Sequence, residues 1–88
     1  MKHSTGDELS MISNLMGQLR HMGMAERGDG HFYHKGRGVI HFHSDSGKIY
    51  ADIGTERLEV FDGRMEINTS LTVNKVSRYI HDIEGERD

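Results

Sequence analysis

The residues best suited to chemistry lie between positions 31 and 43, a segment that holds four of the seven histidines. His41 and His43 are separated by one residue, so both imidazoles project from the same face if the segment is a β-strand. Imidazole nitrogen is a common ligand for zinc, copper, nickel and iron. The spacing therefore indicates a candidate metal site, and it raises the question of which other histidines reach the same face.

The loop that joins the two strands of this segment decides which histidines meet. A three-residue loop at residues 36–38 pairs Phe32 with Phe42 on one face and His31 with His43 on the other. A loop of two or four residues mixes apolar and polar side chains on both faces, so three residues is the predicted length. Three protein ligands with an open position are typical of a catalytic zinc site. The predicted ligands of a divalent transition metal are His31, His41 and His43.

Two features oppose a metal site on this face. The second hairpin is predicted to place Lys48 opposite His43, where an ammonium group repels a dication. The predicted histidine ligands also have no flanking carboxylate. The histidines can instead be surface residues whose rings cover their neighbours, or a pH-responsive surface, since imidazole titrates near a pKa of about 6.5.

The same face is predicted to carry aromatic side chains, which supply contact area with few rotatable bonds. The predicted binding surface consists of Tyr33, Tyr50, Phe61 and Lys48. The first functional hypothesis is therefore a non-enzymatic module that binds another protein, or a second copy of itself, through an exposed sheet face of histidine and tyrosine. The alternative hypothesis is a protein that binds zinc, nickel or copper through the strand histidines.

No catalytic residues are predicted, and an enzymatic function is not favoured. His43, Ser44 and Asp45 are the residue types of a hydrolytic triad, but contiguous residues cannot adopt the relay geometry. The glycines at 28–30 and 36–38 are not followed by a helix N-terminus that would cradle a phosphate. No organic cofactor is expected, and a divalent transition metal is the remaining candidate.

An amphipathic helix is predicted near each end of the chain. Thr5 and Glu8 form a capping-box pattern, and Gly23 is placed to end the first helix. Its apolar stripe is Leu9, Ile12, Leu15, Met16, Leu19 and Met22. The second helix is predicted between Asn68 and Gly85, with the stripe Val73, Val76, Ile80 and Ile83.

Five short strands are predicted between the helices, because apolar and polar residues alternate there. Asp62-Gly63 is a strong hairpin signal, which puts Met65 and Ile67 on a return strand. The predicted fold is α+β, a two-layer sandwich of a five-stranded antiparallel meander with both helices packed on one face, in the order α-β-β-β-β-β-α. The covered face is predicted to contain Phe32, Ile40, Phe42, Ile49, Ala51, Ile53, Leu58, Val60, Met65 and Ile67. The open face is predicted to contain His31, Tyr33, His41, His43, Lys48, Tyr50, Glu59, Phe61 and Glu66.

Length and composition set the remaining expectations. A chain of 88 residues forms one domain, residues 1–88, and residues 1–5 and 85–88 are expected to be frayed. The net charge of −3 gives no attraction for a polyanion, so nucleic acid is not an expected partner. The absence of cysteine, of a secretory signal and of an apolar run of about 18 residues predicts a cytoplasmic protein with no membrane partner.

Overall fold

The computed structural model describes residues 2 to 85, which form six strands, two α-helical segments near the N-terminus and a long C-terminal helix. The strands are β1 (Lys2–His3), β2 (Ala25–Glu26), β3 (Phe32–His34), β4 (Arg37–Asp45), β5 (Lys48–Ile53) and β6 (Glu56–Phe61). The helices are α1 (Gly6–Leu9), α2 (Ser13–His21) and α3 (Thr69–Gly85), with a 3-10 turn at Ser10–Ile12 between α1 and α2.

The strands form one antiparallel sheet in the order β2-β3-β4-β5-β6, and the helices cover one of its faces. The predicted α+β fold is confirmed, with five strands along this path and a helix at each end. We refer to the face under the helices as the covered face and to the other as the open face. The covered face and the helix stripes share one core, which includes Phe32, Ile40, Phe42, Ala51, Val60, Leu15, Leu19 and Val76.

The short strand β1 pairs with β4, although residues 1–5 were expected to be frayed. One edge of β4 is paired with β5, and the other edge is shared: β3 takes the stretch near Ile40 and β1 takes the stretch near His43. β4 has nine residues and is the longest strand within residues 2–85, and it accepts both short strands end to end. Residues 86–88, which were also expected to be frayed, lie outside the described residues, and Gly85 is the last residue of α3.

The N-terminal helix begins as predicted. The Thr5 side chain accepts from Glu8 N at 3.2 Å, and the Glu8 carboxylate accepts from Thr5 N at 2.8 Å. The helix is interrupted at the 3-10 turn, and the Glu66 carboxylate accepts from the backbone nitrogens of Asn14 and Leu15 at the start of α2. The placement of Glu66 on the open face was therefore wrong, because this carboxylate supplies a cap that α2 lacks within its own sequence.

The first two hairpins use two-residue turns, so the predicted three-residue loop is wrong. Lys35 and Gly36 have φ values of 52° and 81°, and Ser46 and Gly47 have values of 54° and 80°, as type I′ turns require. The shorter first loop would reverse the faces of β4, but a bulge at Val39 inserts one residue and restores the alternation. The histidines of β4 consequently remain on the open face.

A second bulge changes the end of the sheet. Tyr50 pairs with Glu59 but Ile49 pairs with Phe61, so the extra residue Val60 turns Phe61 toward the covered face, where it packs against the core. The predicted return strand is reduced to a single bridge between Phe61 and Glu66. The Asp62 carboxylate accepts from the backbone nitrogens of Arg64 and Met65, and Asp62 N donates to Met65 O across the turn. Met65 is exposed there rather than covered. The fifth strand of the path is β2 instead.

Candidate metal centre

Four histidines from three parts of the chain meet on the open face. His41 and His43 stand on β4, His3 stands on β1 opposite His43, and His31 directly precedes β3. The ring centroid of His3 is 4.6 Å from that of His43, 5.1 Å from that of His31 and 6.0 Å from that of His41. The His41 ring is 4.9 Å from His43 and 6.1 Å from His31. We call these four residues the histidine cluster.

Three members of the cluster present nitrogens close enough to share a metal ion. One ring nitrogen each of His3, His41 and His43 lies within 4.8 Å of the other two. Zinc–nitrogen bonds in a tetrahedral site hold two nitrogens about 3.3 Å apart, so the rings must close by at most about 1.5 Å. Side-chain rotation can supply that movement. His3 is exposed while His41 and His43 are half-buried, which leaves the site open to solvent on one side.

The pairing of β1 with β4 explains why His3 meets His43. Ser4 N donates to Phe42 O at 3.2 Å, so the neighbouring pair of His3 and His43 falls at a position without mutual backbone hydrogen bonds. Side chains approach most closely at such positions in an antiparallel ladder. The buried hydroxyls of Ser4 and Ser44, 2.7 Å apart, share a further hydrogen bond beside this pair.

Asp52 on β5 adds a carboxylate to the cluster. It pairs with His41 across the ladder, and its Oδ2 lies 2.7 Å from Nδ1 of His43. The contact is close, but His43 Nδ1 is a buried nitrogen without a regular hydrogen bond, so the contact is an electrostatic one. Metal-bound histidines commonly turn their second ring nitrogen to a carboxylate in this way.

Arg57 on β6 holds Asp52 in its ionised form. Its Nε and Nη2 donate to the two carboxylate oxygens at 2.6 Å and 2.9 Å. The hydrogen bond from Arg57, assisted by the contact with His43, lowers the pKa of Asp52 even though partial burial acts in the opposite direction. At neutral pH the cluster therefore has an anionic carboxylate beside it.

His41 is favoured in its neutral form. Burial lowers the pKa of His41, and the neighbouring His43, His3 and His31 lower it further, although Asp52 opposes them. A neutral imidazole has a free nitrogen lone pair and is the form that binds metals.

The structure brings together two of the three predicted ligands as expected and places the third differently. His41 and His43 share the open face, but His31 lies beside His3 and His41 instead of opposite His43. The sequence pattern missed His3 and Asp52. Neither residue is adjacent to His41 or His43 in the chain. Strand pairing brings both to the cluster, so they could have been predicted only from the registers of β1 and β5 against β4.

Lys48, whose ammonium group was predicted to repel a metal ion beside His43, does not lie at the site. Lys48 pairs with Asp45 at the hairpin tip, and Tyr50 occupies the position opposite His43. The second hairpin was predicted two residues out of register, because the chain turns at Ser46-Gly47 instead of over all four residues 44–47. The carboxylate that was missing from the sequence pattern is supplied by Asp52.

The four residues of the predicted binding surface are dispersed. Tyr33 is half-buried over Gly38, with the guanidinium of Arg27 at 5.3 Å from its ring centroid. Tyr50 borders the histidine cluster, and Lys48 is exposed at the hairpin tip. Phe61 lies on the covered face, so the open face has less aromatic surface than was predicted.

Comparison of this chain with protein-family models, with curated proteins and with solved structures finds no match. Across residues 2–85, no helix has both the length and the apolar character needed to span a membrane.

Proposed function

We propose that this protein binds one divalent transition metal ion, of the zinc, cobalt or nickel type, through His3, His41 and His43. The observation that carries the proposal is the convergence of three imidazole nitrogens within 4.8 Å, contributed by two paired strands. Imidazole donors select these metals over calcium and magnesium, which prefer oxygen ligands. The chain has no cysteine, so a thiolate site is excluded and the donor set is nitrogen-rich.

Asp52 and Arg57 support this assignment as neighbours of the ligands. The Asp52 carboxylate lies beside His43 and is kept ionised by Arg57, so it favours a cation at the cluster and orients the His43 ring. Arg57 is 48% exposed at its side chain and its charge is directed to Asp52. The positive charge of Arg57 is thereby separated from the imidazoles by a carboxylate.

His31 provides the variable part of the coordination. Its ring lies 5.1 Å from the His3 ring but is outside the group of three converging nitrogens. Three histidines with a fourth position for water or for His31 give the coordination number that zinc prefers. A metal-activated water would allow hydrolytic chemistry, but the Asp52 carboxylate is occupied by Arg57 and His43 and is not placed as a general base.

The calorimetric titration of zinc into the chain without an affinity tag tests the proposal. We expect one zinc ion per chain, and we expect His41→Gln to weaken binding at least tenfold because it removes a ligand. His21→Gln is the matched control, since His21 is exposed at the end of α2. Absence of zinc binding by the unmodified chain, or equal binding by the His41 variant, would contradict the proposal.

Association with a protein partner or with a second copy through the open face is a second candidate. Tyr33 and Tyr50 support it, because both are half-exposed on that face and flank the histidine cluster. Light scattering with and without zinc tests the self-association part. A monomer at high concentration in both conditions would contradict self-association.

A further inference from the structure

The candidate metal site is divided between a firmly held strand and a weakly held one. His41 and His43 stand on β4, which pairs with β5 continuously from Ile40 to Asp45. His3 stands on β1, which consists of only Lys2 and His3 and has no strand on its outer edge among the described residues. The free energy needed to detach β1 from the site is therefore smaller than the free energy needed to detach β4.

Backbone pairing and the side chain of Ser4 are the described interactions that hold β1 on β4. Besides its ladder with β4, Ser4 N donates to Phe42 O and the Ser4 hydroxyl shares a hydrogen bond with Ser44. The His3 side chain is exposed and lies beside the other three imidazoles of the histidine cluster, but it takes no part in the apolar core. Segments with few buried apolar contacts open locally at low free energy while the rest of the domain stays folded.

We infer that metal occupancy controls the docking of β1 on β4. A metal ion held by His3, His41 and His43 clamps residues 2–4 to the strand, and removal of the metal releases them. The inference rests on the metal site proposed above. Because binding linkage is reciprocal, the docked β1 must also raise the affinity for the metal.

Release of β1 has a consequence for the sheet. The edge of β4 around His43 loses its partner, and Phe42 O loses the hydrogen bond from Ser4. An unpaired strand edge accepts an extended segment of another polypeptide by backbone hydrogen bonding.

Amide hydrogen exchange measured by NMR with and without saturating zinc tests the inference. We expect zinc to slow the exchange of the Ser4 amide roughly tenfold, while the Ala51 amide on β5 changes little. In His3→Gln, we expect zinc to bind more weakly and to leave the Ser4 amide unprotected. His21→Gln is the control and should respond to zinc as the unmodified chain does.

A variant that weakens docking without removing a ligand tests the reciprocal effect. Ser44→Ala removes the hydroxyl partner of Ser4, and we expect the zinc affinity to fall roughly fivefold, as for the loss of one buried hydrogen bond. Ser77→Ala, at an exposed position of α3, is the matched control and should leave the affinity unchanged.

The outcomes separate this inference from the proposed function. No zinc binding by the unmodified chain would overturn both. Zinc binding with the same Ser4 exchange rate in the presence and absence of the metal would overturn only the control of β1. Zinc binding that His3→Gln leaves unchanged would also overturn that control, because His3 would not be a ligand.

Discussion

The two faces of β4 are built from alternate residues but depend on different kinds of interaction. On the covered face Ile40 and Phe42 are at most 2% exposed and pack into a core, where burial against different apolar neighbours has a similar stabilising effect. On the open face His41 and His43 depend on particular partners at particular distances, contributed by β1 and β5. Packing tolerates a change of partner, whereas a ligand set does not.

The register of the second hairpin illustrates the difference. A shift of two residues leaves every side chain on its own face but replaces every partner. Phe42 was predicted opposite Ile49 and lies opposite Ala51, with no effect on its burial. The same shift replaces Lys48 by Tyr50 opposite His43 and brings Asp52 to the cluster, which reverses the electrostatic character of the site.

The largest effect is expected on the covered face. Phe42→Ala should destabilise the domain by about 3–5 kcal/mol, because it removes a fully buried aromatic ring and leaves a cavity. Urea unfolding followed by circular dichroism measures the change. A decrease in the free energy of unfolding below about 1 kcal/mol would show that Phe42 is not packed in the core as the structure has it.

On the open face, the loss of a residue that contacts a proposed metal ligand should affect zinc binding more than stability. Asp52→Asn removes the negative charge beside His43, and we expect zinc affinity to fall about 10- to 100-fold. Calorimetry measures the affinity, with Asp45→Asn as the control because Asp45 is an exposed carboxylate at the hairpin tip. Equal affinities of the two variants would mean that Asp52 does not act on the site.

The low pKa of His41 predicts a pH dependence of stability in the absence of metal. In the unfolded chain His41 takes up a proton as the pH falls through about 6.5, whereas the folded domain resists protonation until a lower pH. The unfolded state then binds more protons, so stability falls as the pH drops below about 7. Urea unfolding at several pH values in the presence of a chelator measures this slope, which should be smaller in His41→Gln. The same slope in both proteins would contradict the buried environment of His41.

The smallest effect distinguishes the predicted register from the observed one. Lys48→Gln should change zinc affinity less than about twofold, because the exposed ammonium is at the hairpin tip and is largely screened. If Lys48 lay opposite His43, its removal would strengthen binding of the cation. A clear gain in affinity by calorimetry would therefore favour the predicted register over the observed one.

Local patterns were sufficient to predict the elements of the fold. The Thr5 and Glu8 capping box and the alternation of β5 act over a few residues, and both are present as predicted. The Glu66 cap on α2 joins residues about 50 positions apart and had no local signal. Local periodicity is therefore enough to predict the fold class. A helix cap supplied by a distant part of the chain can be identified only from the folded structure.

The candidate site was predicted less completely because two bulges and a two-residue strand determine it. The bulge at Val39 compensates for the shorter loop and keeps His41 and His43 on the open face. The bulge at Val60 moves Phe61 off that face. His3 enters the cluster only because β1 and β3 share one edge of β4, and no periodicity can indicate a strand of two residues.

Histidine ring NMR during a zinc titration tests the shared metal site most directly. The account predicts that the ring signals of His3, His41 and His43 change together and reach their end point at one zinc per chain, while those of His21 and His81 stay constant. Unchanged signals at those three residues, or weak gradual changes at all seven histidines, would contradict it.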